Sequence, residues 1–343
     1  MKVKDEAFFK TVRDFLETYL IKQKNYSPNT QRAYKFAISQ LLDFFKEEKG
    51  LAYSQVGFQE LNYGNICDYL RWLEHSRKCS AKTVNQRLMA LRSFAKYASI
   101  VDPAKIYFQV ELSNVPRKKE PVRTVEHLNE NVLENLFLQP DTGKKNGRRD
   151  RFFMLLTYDI AARCQEVLDL KVGDVYVNSA EPYAILTGKG NKRRSVPISR
   201  KIAEHFGEYL KQFHPVETRN DNDWLFYTVI HGVRHRMSPD AVATFMKKYG
   251  DLCRNVCPET PKKINPHLLR HSRAMFLYRK GMPLVLLAEF LGHSDVNTTR
   301  VYAWADTEMK RKAISKISDE ADLDTEPIWE NDESIIKRLY GLA

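Results

Sequence analysis

The apolar positions of residues 1 to about 112 recur with the spacing of amphipathic helices. In the stretch "DEAFFKTVRDFLETYLI", one helical face is entirely apolar: Phe8, Val12, Phe15, Leu16 and Tyr19. The pattern therefore predicts a first region built only from helices.

Two segments of this region share one layout and begin at Ser27 and Ser80. Each has a serine suited to capping a helix, a threonine three residues later, and then basic residues beside an apolar face. Because helix N-termini favour anions, these first turns suit DNA phosphates. The candidate contacts are Thr30, Arg32, Lys82, Thr83 and Arg87. Two ordinary surface helices with good caps explain the same residues equally well.

Residues 114–124, "NVPRKKEPVRT", combine two prolines with a cluster of basic residues and show no periodicity. They predict a basic linker, in which Lys118 and Lys119 are further candidates for DNA contact. Helical patterns then resume, and "PYAILTGKGNKRRSVPIS" predicts a β-hairpin around a Gly-Lys-Gly-Asn turn. From Lys201 to about Ser318 the pattern predicts helices alone.

The pattern as a whole predicts a mainly α fold with a small β-hairpin or sheet. Four segments are expected: a helical core DNA-binding domain over 1–113, the basic linker over 114–124, a mixed α+β catalytic domain over 125–317, and an acidic tether with a C-terminal helix over 318–343.

The charge balance favours a polyanionic partner, with a net charge of +12 and a pI near 9.3. Residues 318–333 carry eight acidic and no basic side chains, which leaves about +20 on the remainder. No run approaches the roughly 18 apolar residues of a membrane span, and the start lacks the apolar stretch of a signal peptide. A cytoplasmic protein without a membrane partner is therefore expected. The five cysteines lack paired zinc-site spacing, so no metal site is predicted.

Two places hold polar residues in apolar surroundings. Arg163 and Glu166, in "AARCQEVLDL", are three residues apart and can pair, either as a buried structural ion pair or within a functional site. His267 and Arg270, in "PHLLRHSRAMF", lie on one helical face and can point at one phosphate. Two neighbouring polar residues are expected to point elsewhere: His271 and Arg273.

A third place is "LGHSDVNTTRVYAW", residues 291–304. Pro283 and Gly292 are expected to begin and end an apolar helix, and Asp295 or the serine before it can cap the next one. On one continuous helix, His293 and Tyr302 would lie on opposite sides. A turn at Gly292 removes that conflict, so both side chains can face one site.

These pieces, in this order, resemble the tyrosine recombinases, the phage-integrase-type family. The family's pattern is Arg-x-x-Glu/Asp, a hairpin Gly-Lys-Gly, His-x-x-Arg, Leu-Gly-His, and a tyrosine nine residues on. The matching residues here are Arg163 with Glu166, Lys189, His267 with Arg270, His293, and Tyr302. The catalytic resemblance spans about residues 125–316, and the N-terminal helices are similar in layout to the family's core-binding domain.

The resemblance implies a site-specific recombinase that cleaves and rejoins double-stranded DNA through a 3′-phosphotyrosyl intermediate, without metal, ATP or another cofactor. It implies Tyr302 as nucleophile, Lys189 as general acid, His267 as the candidate base for the tyrosine, and Glu166 as a support for Arg163. The segments around Arg163 and after Tyr302 look more like recombinases of transposons and integrative elements.

One departure precedes the first arginine, where the family usually has Thr-Gly or a similar small pair and this chain has Ile160-Ala161-Ala162. Alanine adopts a positive φ less readily than glycine, so a different local turn is expected.

Similar recombinases pass a C-terminal helix to a neighbouring subunit in a tetramer on paired DNA sites. Four apolar residues at helical spacing in "SIIKRLYGL" favour the same arrangement here: Ile335, Ile336, Leu339 and Tyr340. Two other functions remain open, a type IB topoisomerase-like DNA-relaxing enzyme and a non-catalytic regulator using residues 283–302 as a helix-turn-helix.

Overall fold

The computed structural model describes residues 3–120, 125–188 and 190–305, together with 337, 338 and 341. The chain divides into two compact units, residues 1–122 and 123–343. Helices dominate both units, and unit 2 adds two small antiparallel sheets, which confirms the predicted fold class. No helix within the described ranges is long and apolar enough to cross a membrane.

Unit 1 consists of helices joined by short turns. They are α1 (Glu6–Asp14), which continues as a π-type segment (Phe15–Gln23), α2 (Pro28–Glu48), α3 (Tyr63–His75), α4 (Ala81–Val101) and α5 (Ile106–Asn114). Ser27 and Ser80 cap α2 and α4 as predicted, since each hydroxyl accepts a hydrogen bond from the backbone N–H of the threonine three residues later.

Buried aromatic rings hold unit 1 together. Phe8, Phe58, Phe94 and Phe108 contact one another, mostly edge to face, with ring centres 5.2–6.1 Å apart. Each ring contributes about 2–3 kcal/mol by its burial alone. They join α1, α4 and α5 around one core, into which α2 also packs through Leu41 and Phe45.

Unit 2 contains more elements and carries the candidate chemistry. Its helices are α6 (Glu130–Leu138), α7 (Lys145–Asp159), α8 (Cys164–Leu168), α9 (Arg200–Phe213), α10 (Pro239–Val256), α11 (Pro266–Arg279), α12 (Leu284–Leu291) and α13 (Arg300–Ala305). Its strands are β1 (Val175–Tyr176), β2 (Tyr183–Thr187), β3 (Arg193–Pro197), β4 (Tyr227–Ile230) and β5 (Val233–Arg236).

The predicted hairpin is present as β2 and β3, which pair antiparallel with Leu186 opposite Arg194. β1 extends it into a three-stranded sheet. Gly190 and Asn191 have positive φ angles of 76° and 59°, the left-handed backbone that this tight turn requires. Val196 is buried, and the sheet thereby packs into the main core of unit 2.

A second hairpin contradicts the prediction of helices alone from Lys201 to Ser318. β4 and β5 pair antiparallel and turn at His231 and Gly232, both with positive φ. A His-Gly pair is a weaker signal of such a turn than Asn-Gly or Asp-Gly. All of β5 is exposed, so its residues lack the alternation of apolar and polar positions that marks a half-buried strand.

A small separate core holds the last described helix. Tyr302 packs there with Ala161, Met275, Leu287 and Leu291, all of which are buried. Because these residues come from α11, α12, α13 and the turn after α7, the cluster brings four distant segments of the sequence together.

Candidate active site

Arg270 lies at the centre of the site, with 3% of its surface exposed. It is carried by α11, which Asn265 caps and Pro266 begins. Its guanidinium donates to the carbonyls of Ala161 and Leu291, each at 2.7 Å, and to Nε2 of His293 at 3.1 Å. Burial and the charge of Arg163 lower the pKa of Arg270 to about 10, so it stays protonated at neutral pH.

Glu166 joins two further arginines to this centre. Its carboxylate is 4% exposed and accepts from Arg163 Nη1 at 2.7 Å, and from Arg194 Nη1 and Nη2 at 2.9 and 2.8 Å. It also accepts from the backbone N–H of Arg163 at 2.9 Å. Burial alone would raise the pKa of Glu166, but the Arg194 and Arg163 donors overcome it and lower the pKa to about 2.

Arg163 precedes α8 and points toward the His293 loop. Its Nη2 donates to the carbonyl of Gly292 at 3.2 Å, and 37% of its side chain remains exposed. Glu166 therefore orients a guanidinium that keeps donors free to meet a ligand.

In the turn before Arg163, Ala161 adopts a left-handed backbone with φ of 45°, although alanine takes a positive φ less readily than glycine. Such a conformation costs alanine about 1–2 kcal/mol. The surroundings hold it there: Ala161 is fully buried and its carbonyl accepts from Arg270. The turn thus sets part of the Arg270 position.

His293 lies directly after α12, which begins at Leu284 after Pro283 and ends at Gly292 with φ of 64°, as predicted. Since a guanidinium has donors only, Nε2 of His293 accepts from Arg270, and its Nδ1 bonds the hydroxyl of Thr299 at 2.8 Å. Burial and the neighbouring arginines lower the pKa of His293 to about 4. The ring is therefore neutral in the DNA-free chain.

Tyr302 lies on α13 and is 1% exposed. Asp295 caps a 3₁₀ turn, Val296–Thr298, and α13 follows it, so the predicted cap is present but a single helix is not. The Tyr302 hydroxyl is 2.7 Å from Nδ1 of His271. Burial raises the pKa of Tyr302 to about 12, against the opposing charge of Arg270.

The prediction that His271 points elsewhere is therefore wrong. His271 lies four residues after His267, and residues four apart on a helix share a face. Arg273 does point elsewhere, because it donates to the backbone and side chain of Asp159. His267 is exposed, and within the described residues no hydrogen bond engages its ring. Desolvation by the surrounding protein atoms and the charges of Arg270 and Arg163 nevertheless lower the pKa of His267.

Lys189 lies outside the described residues, as do 318–336, which include most of the acidic tether. The residues around Lys189 are described: Gly188 donates its N–H to the carbonyl of Lys192 at 2.8 Å. A Cβ added at Gly188 would lie 3.5 Å from a Glu166 oxygen, so the hairpin turn begins beside the arginine network.

Unit 1 brings part of the predicted DNA-contact set together. Thr30, Lys82 and Arg87 line one groove of about 650 Å³, which Arg117 also lines. Arg87 donates to Gln40 at 2.7 Å and stacks over Phe36. Of the other candidates, Arg32 and Lys119 are exposed. The hydroxyl of Thr83 instead bonds the hydroxyl of Ser80, which caps α4.

Lys118 differs from a free linker residue. Its backbone N–H donates to the buried Asn85 side chain at 2.8 Å, and its ammonium pairs with Glu74 at 2.7 Å. A DNA phosphate would compete with Glu74 for this ammonium group.

Three site residues were missed by sequence reasoning: Arg194, His271 and Thr299. Arg194 lies in a run of basic residues on the hairpin and carried no distinguishing pattern. The four-residue spacing from His267 was the available signal for His271. Thr299 carried none, since only the turn after Gly292 brings it to His293.

Comparisons with known proteins match both units of the chain to one family. Residues 126–309 match the phage integrase family, and residues 9–101 match the phage integrase N-terminal SAM-like domain. Tyrosine recombinase XerA of Thermococcus onnurineus is 30% identical over 314 residues, which cover 91% of this chain and 96% of that protein.

Among the solved structures that share the fold are two recombinases bound to DNA. One is the XerH site-specific recombinase bound to its difH substrate before cleavage, with a TM-score of 0.64, 23% identity, and coverage of 96% of this chain and 90% of that one. The other is the Tn1549 transposon integrase in complex with transposon right-end DNA. Its TM-score is 0.65 and its identity 17%, and the match covers 88% of this chain and 98% of that one.

The fold and the arginine–histidine–tyrosine site define a site-specific tyrosine recombinase, an enzyme that breaks and rejoins DNA. The chain belongs to the phage integrase family. This finding confirms the family resemblance and does not favour the topoisomerase or regulator alternatives. The narrower assignment to transposon or integrative-element recombinases stays a prediction.

Proposed function

We propose that Tyr302 is the nucleophile, and that Arg163, Arg270, His267 and His293 hold the DNA phosphate it attacks. One observation carries the proposal: residues from the start of α8, from α11, from the loop after α12 and from α13 converge. Arg270 bonds His293, and Arg163, just before α8, reaches the Gly292 carbonyl. Each arginine can offer paired donors to a phosphate.

Arg270 and His293 must change partners when the phosphate binds. In the DNA-free chain, Nε2 of His293 accepts from Arg270 and has no proton to offer. A phosphate oxygen replaces that nitrogen as the acceptor for Arg270, and its negative charge favours protonated His293, which then donates to the phosphate. His267, exposed beside them, supplies a further donor. Removing one such donor typically slows a reaction on the order of 10²–10³-fold.

Lys189 is proposed as the acid that protonates the 5′-oxygen as it leaves. The proposal rests on the Gly-Lys-Gly motif and on the hairpin turn, which begins beside Glu166. A covalent 3′-phosphotyrosyl link retains the energy of the phosphodiester bond, so rejoining needs no ATP. No metal or other cofactor enters this scheme.

Unit 1 is proposed to hold the DNA duplex through the groove that contains Thr30, Lys82 and Arg87. The net charge of +12 and the two capped helix N-termini support this assignment. Because phosphate contacts dominate, binding should weaken steeply with salt.

Four copies are proposed to assemble on two paired DNA sites and to exchange C-terminal helices. The helical spacing of Ile335, Ile336, Leu339 and Tyr340 supports this, although these residues lie outside the described ranges. In unit 1, five apolar residues at the α4–α5 junction are exposed and support contact with a second copy: Ile100, Val101, Ile106, Tyr107 and Val110.

The test of the nucleophile uses a target-site DNA nicked near the attacked phosphate, which traps the enzyme as a covalent adduct. Tyr302→Phe is expected to bind this DNA like the unmodified chain and to form no adduct. Tyr176→Phe, at an exposed position on β1, is the matched control and should form the adduct normally. An adduct formed by Tyr302→Phe would refute the assignment.

A further inference from the structure

His271 contacts the group that the proposed reaction uses as its nucleophile. Its Nδ1 is 2.7 Å from the Tyr302 hydroxyl, and the two ring centres are 5.8 Å apart. We propose that His271 is a catalytic residue that accepts the Tyr302 proton as the tyrosine attacks the DNA phosphate. This inference rests on the proposed function, in which Tyr302 is the nucleophile.

Burial of Tyr302 determines the direction of this hydrogen bond. The side chain is 1% exposed, and His271 is the partner that its hydroxyl has within the described residues. A buried O–H left without an acceptor is costly, and a neutral imidazole offers one acceptor nitrogen. The Tyr302 hydroxyl therefore donates to Nδ1 of His271, and the proton of the neutral ring is on Nε2.

The surroundings keep His271 ready to accept a proton. His267 and Arg270 of its own helix face it, as do His293 from the loop after α12 and Tyr302 from α13. Burial, His267 and Arg270 lower the pKa of His271 to about 4, so the ring is neutral at neutral pH.

The proton does not move before DNA arrives, because the pKa of Tyr302 is about 12 in the DNA-free chain. An incoming phosphate brings negative charge beside Arg270 and His267, which favours the imidazolium form of His271. Transfer therefore accompanies bond formation, as in general base catalysis.

The step balances in atoms and charge. The O–H bond of Tyr302 breaks, and its proton goes to Nδ1 of His271. The tyrosine oxygen forms its bond to phosphorus while the bond from phosphorus to the 5′-oxygen breaks, and the proposed acid protonates that oxygen. When the strands rejoin, His271 returns the proton to Tyr302.

The family resemblance implies His267 as the base, but in the DNA-free chain the Tyr302 hydroxyl does not hydrogen-bond His267. Its ring centre is 6.5 Å from that of His271, and the ring is exposed without a hydrogen bond in the described ranges. The Tyr302 hydroxyl instead already bonds His271. His267 is thus free to contact phosphate, and the two imidazoles divide the two roles.

Two variants separate proton acceptance from positioning. His271→Asn places an amide near the Nδ1 position, which can accept the Tyr302 hydrogen bond but cannot take its proton. His271→Ala removes both capacities. His235→Asn, on exposed β5, is the matched control. The full-length proteins are compared by adduct formation on the nicked DNA under single-turnover conditions from pH 5.5 to 9, with DNA binding measured separately.

Both His271 variants are expected to bind DNA normally and to cleave at least about 100-fold more slowly at pH 7, the usual range for loss of a general base. Their rates should rise tenfold per pH unit, because only ionised Tyr302 attacks unaided, and added imidazole should restore part of the His271→Ala rate.

Two results would overturn the proposal. Cleavage by His271→Ala at or above the unmodified rate would make the hydrogen bond a restraint on the resting tyrosine. A normal cleavage rate for His271→Asn would show that His271 only positions Tyr302 and does not accept its proton. Adduct formation by Tyr302→Phe would instead refute the nucleophile itself, so failure of the two proposals is distinguishable.

Discussion

Replacing Glu166 by glutamine tests the arginine network on which the site is built. The two carboxylate oxygens accept four hydrogen bonds, three from Arg163 and Arg194 side chains and one from the Arg163 backbone. Glutamine keeps one oxygen and presents an NH₂ group to donors in place of the other. Breaking a buried ion pair by removing one partner costs about 3–5 kcal/mol.

The lowered pKa of Glu166 gives a second measure of how much its ionised form stabilises the fold. A shift from an ordinary value near 4.5 to about 2 corresponds to roughly 3 kcal/mol of stability at neutral pH. Because the folded-state pKa is the lower one, this stabilisation is present above about pH 4.5 and is lost as the pH falls toward 2.

Denaturant unfolding measured at pH 7 and pH 3 is the assay. Glu166→Gln is expected to lower the free energy of unfolding by about 3 kcal/mol at pH 7 and by clearly less at pH 3. Glu208→Gln is the control, because Glu208 pairs with Lys211 at an exposed position and should change stability by less than about 1 kcal/mol. A loss below 1 kcal/mol, or an equal loss at both pH values, would refute the reasoning.

Three further predictions concern the same enzyme. Lys189→Ala should slow cleavage of ordinary DNA but not of a substrate with a 5′-bridging sulfur, because the thiolate leaves without protonation. An equal loss of cleavage rate on both substrates would show that Lys189 is not the acid. Arg194→Met should lower the free energy of unfolding by about 3 kcal/mol, because the buried Glu166 loses two hydrogen-bond donors. The neighbouring Arg193 is 61% exposed, so Arg193→Met should change the free energy of unfolding little in the same measurement. Deleting residues 330–343 should leave DNA binding intact but abolish pairing of sites in gel-shift and strand-exchange assays, and unchanged exchange would contradict the helix-exchange model.

Local sequence patterns predicted the parts of the fold that depend on near neighbours. The caps at Ser27 and Ser80, the end of α12 at Gly292 and the hairpin around Gly190 all follow from the preferences of single residues for particular backbone conformations. The β4–β5 hairpin was missed because both strands are largely exposed and its turn residues, His231 and Gly232, are an uncommon pair.

The family resemblance, which the order and spacing of the motifs carry, predicted that Arg163, Glu166, Arg270, His293 and Tyr302 belong to one site. The amino-acid sequence by itself determined which chemical groups the protein has and which helices and turns carry them, because those depend on side-chain type and local backbone preference.

Only the tertiary structure decided which group contacts which. Arg194 meets Glu166 across 28 residues, and His271 meets Tyr302 across 31. Such contacts depend on how the packed helices and the hairpin place their side chains, which no local periodicity encodes. For that reason the family resemblance implied His267 as the base for Tyr302, whereas the packing of α11 against α13 placed His271 beside the tyrosine hydroxyl.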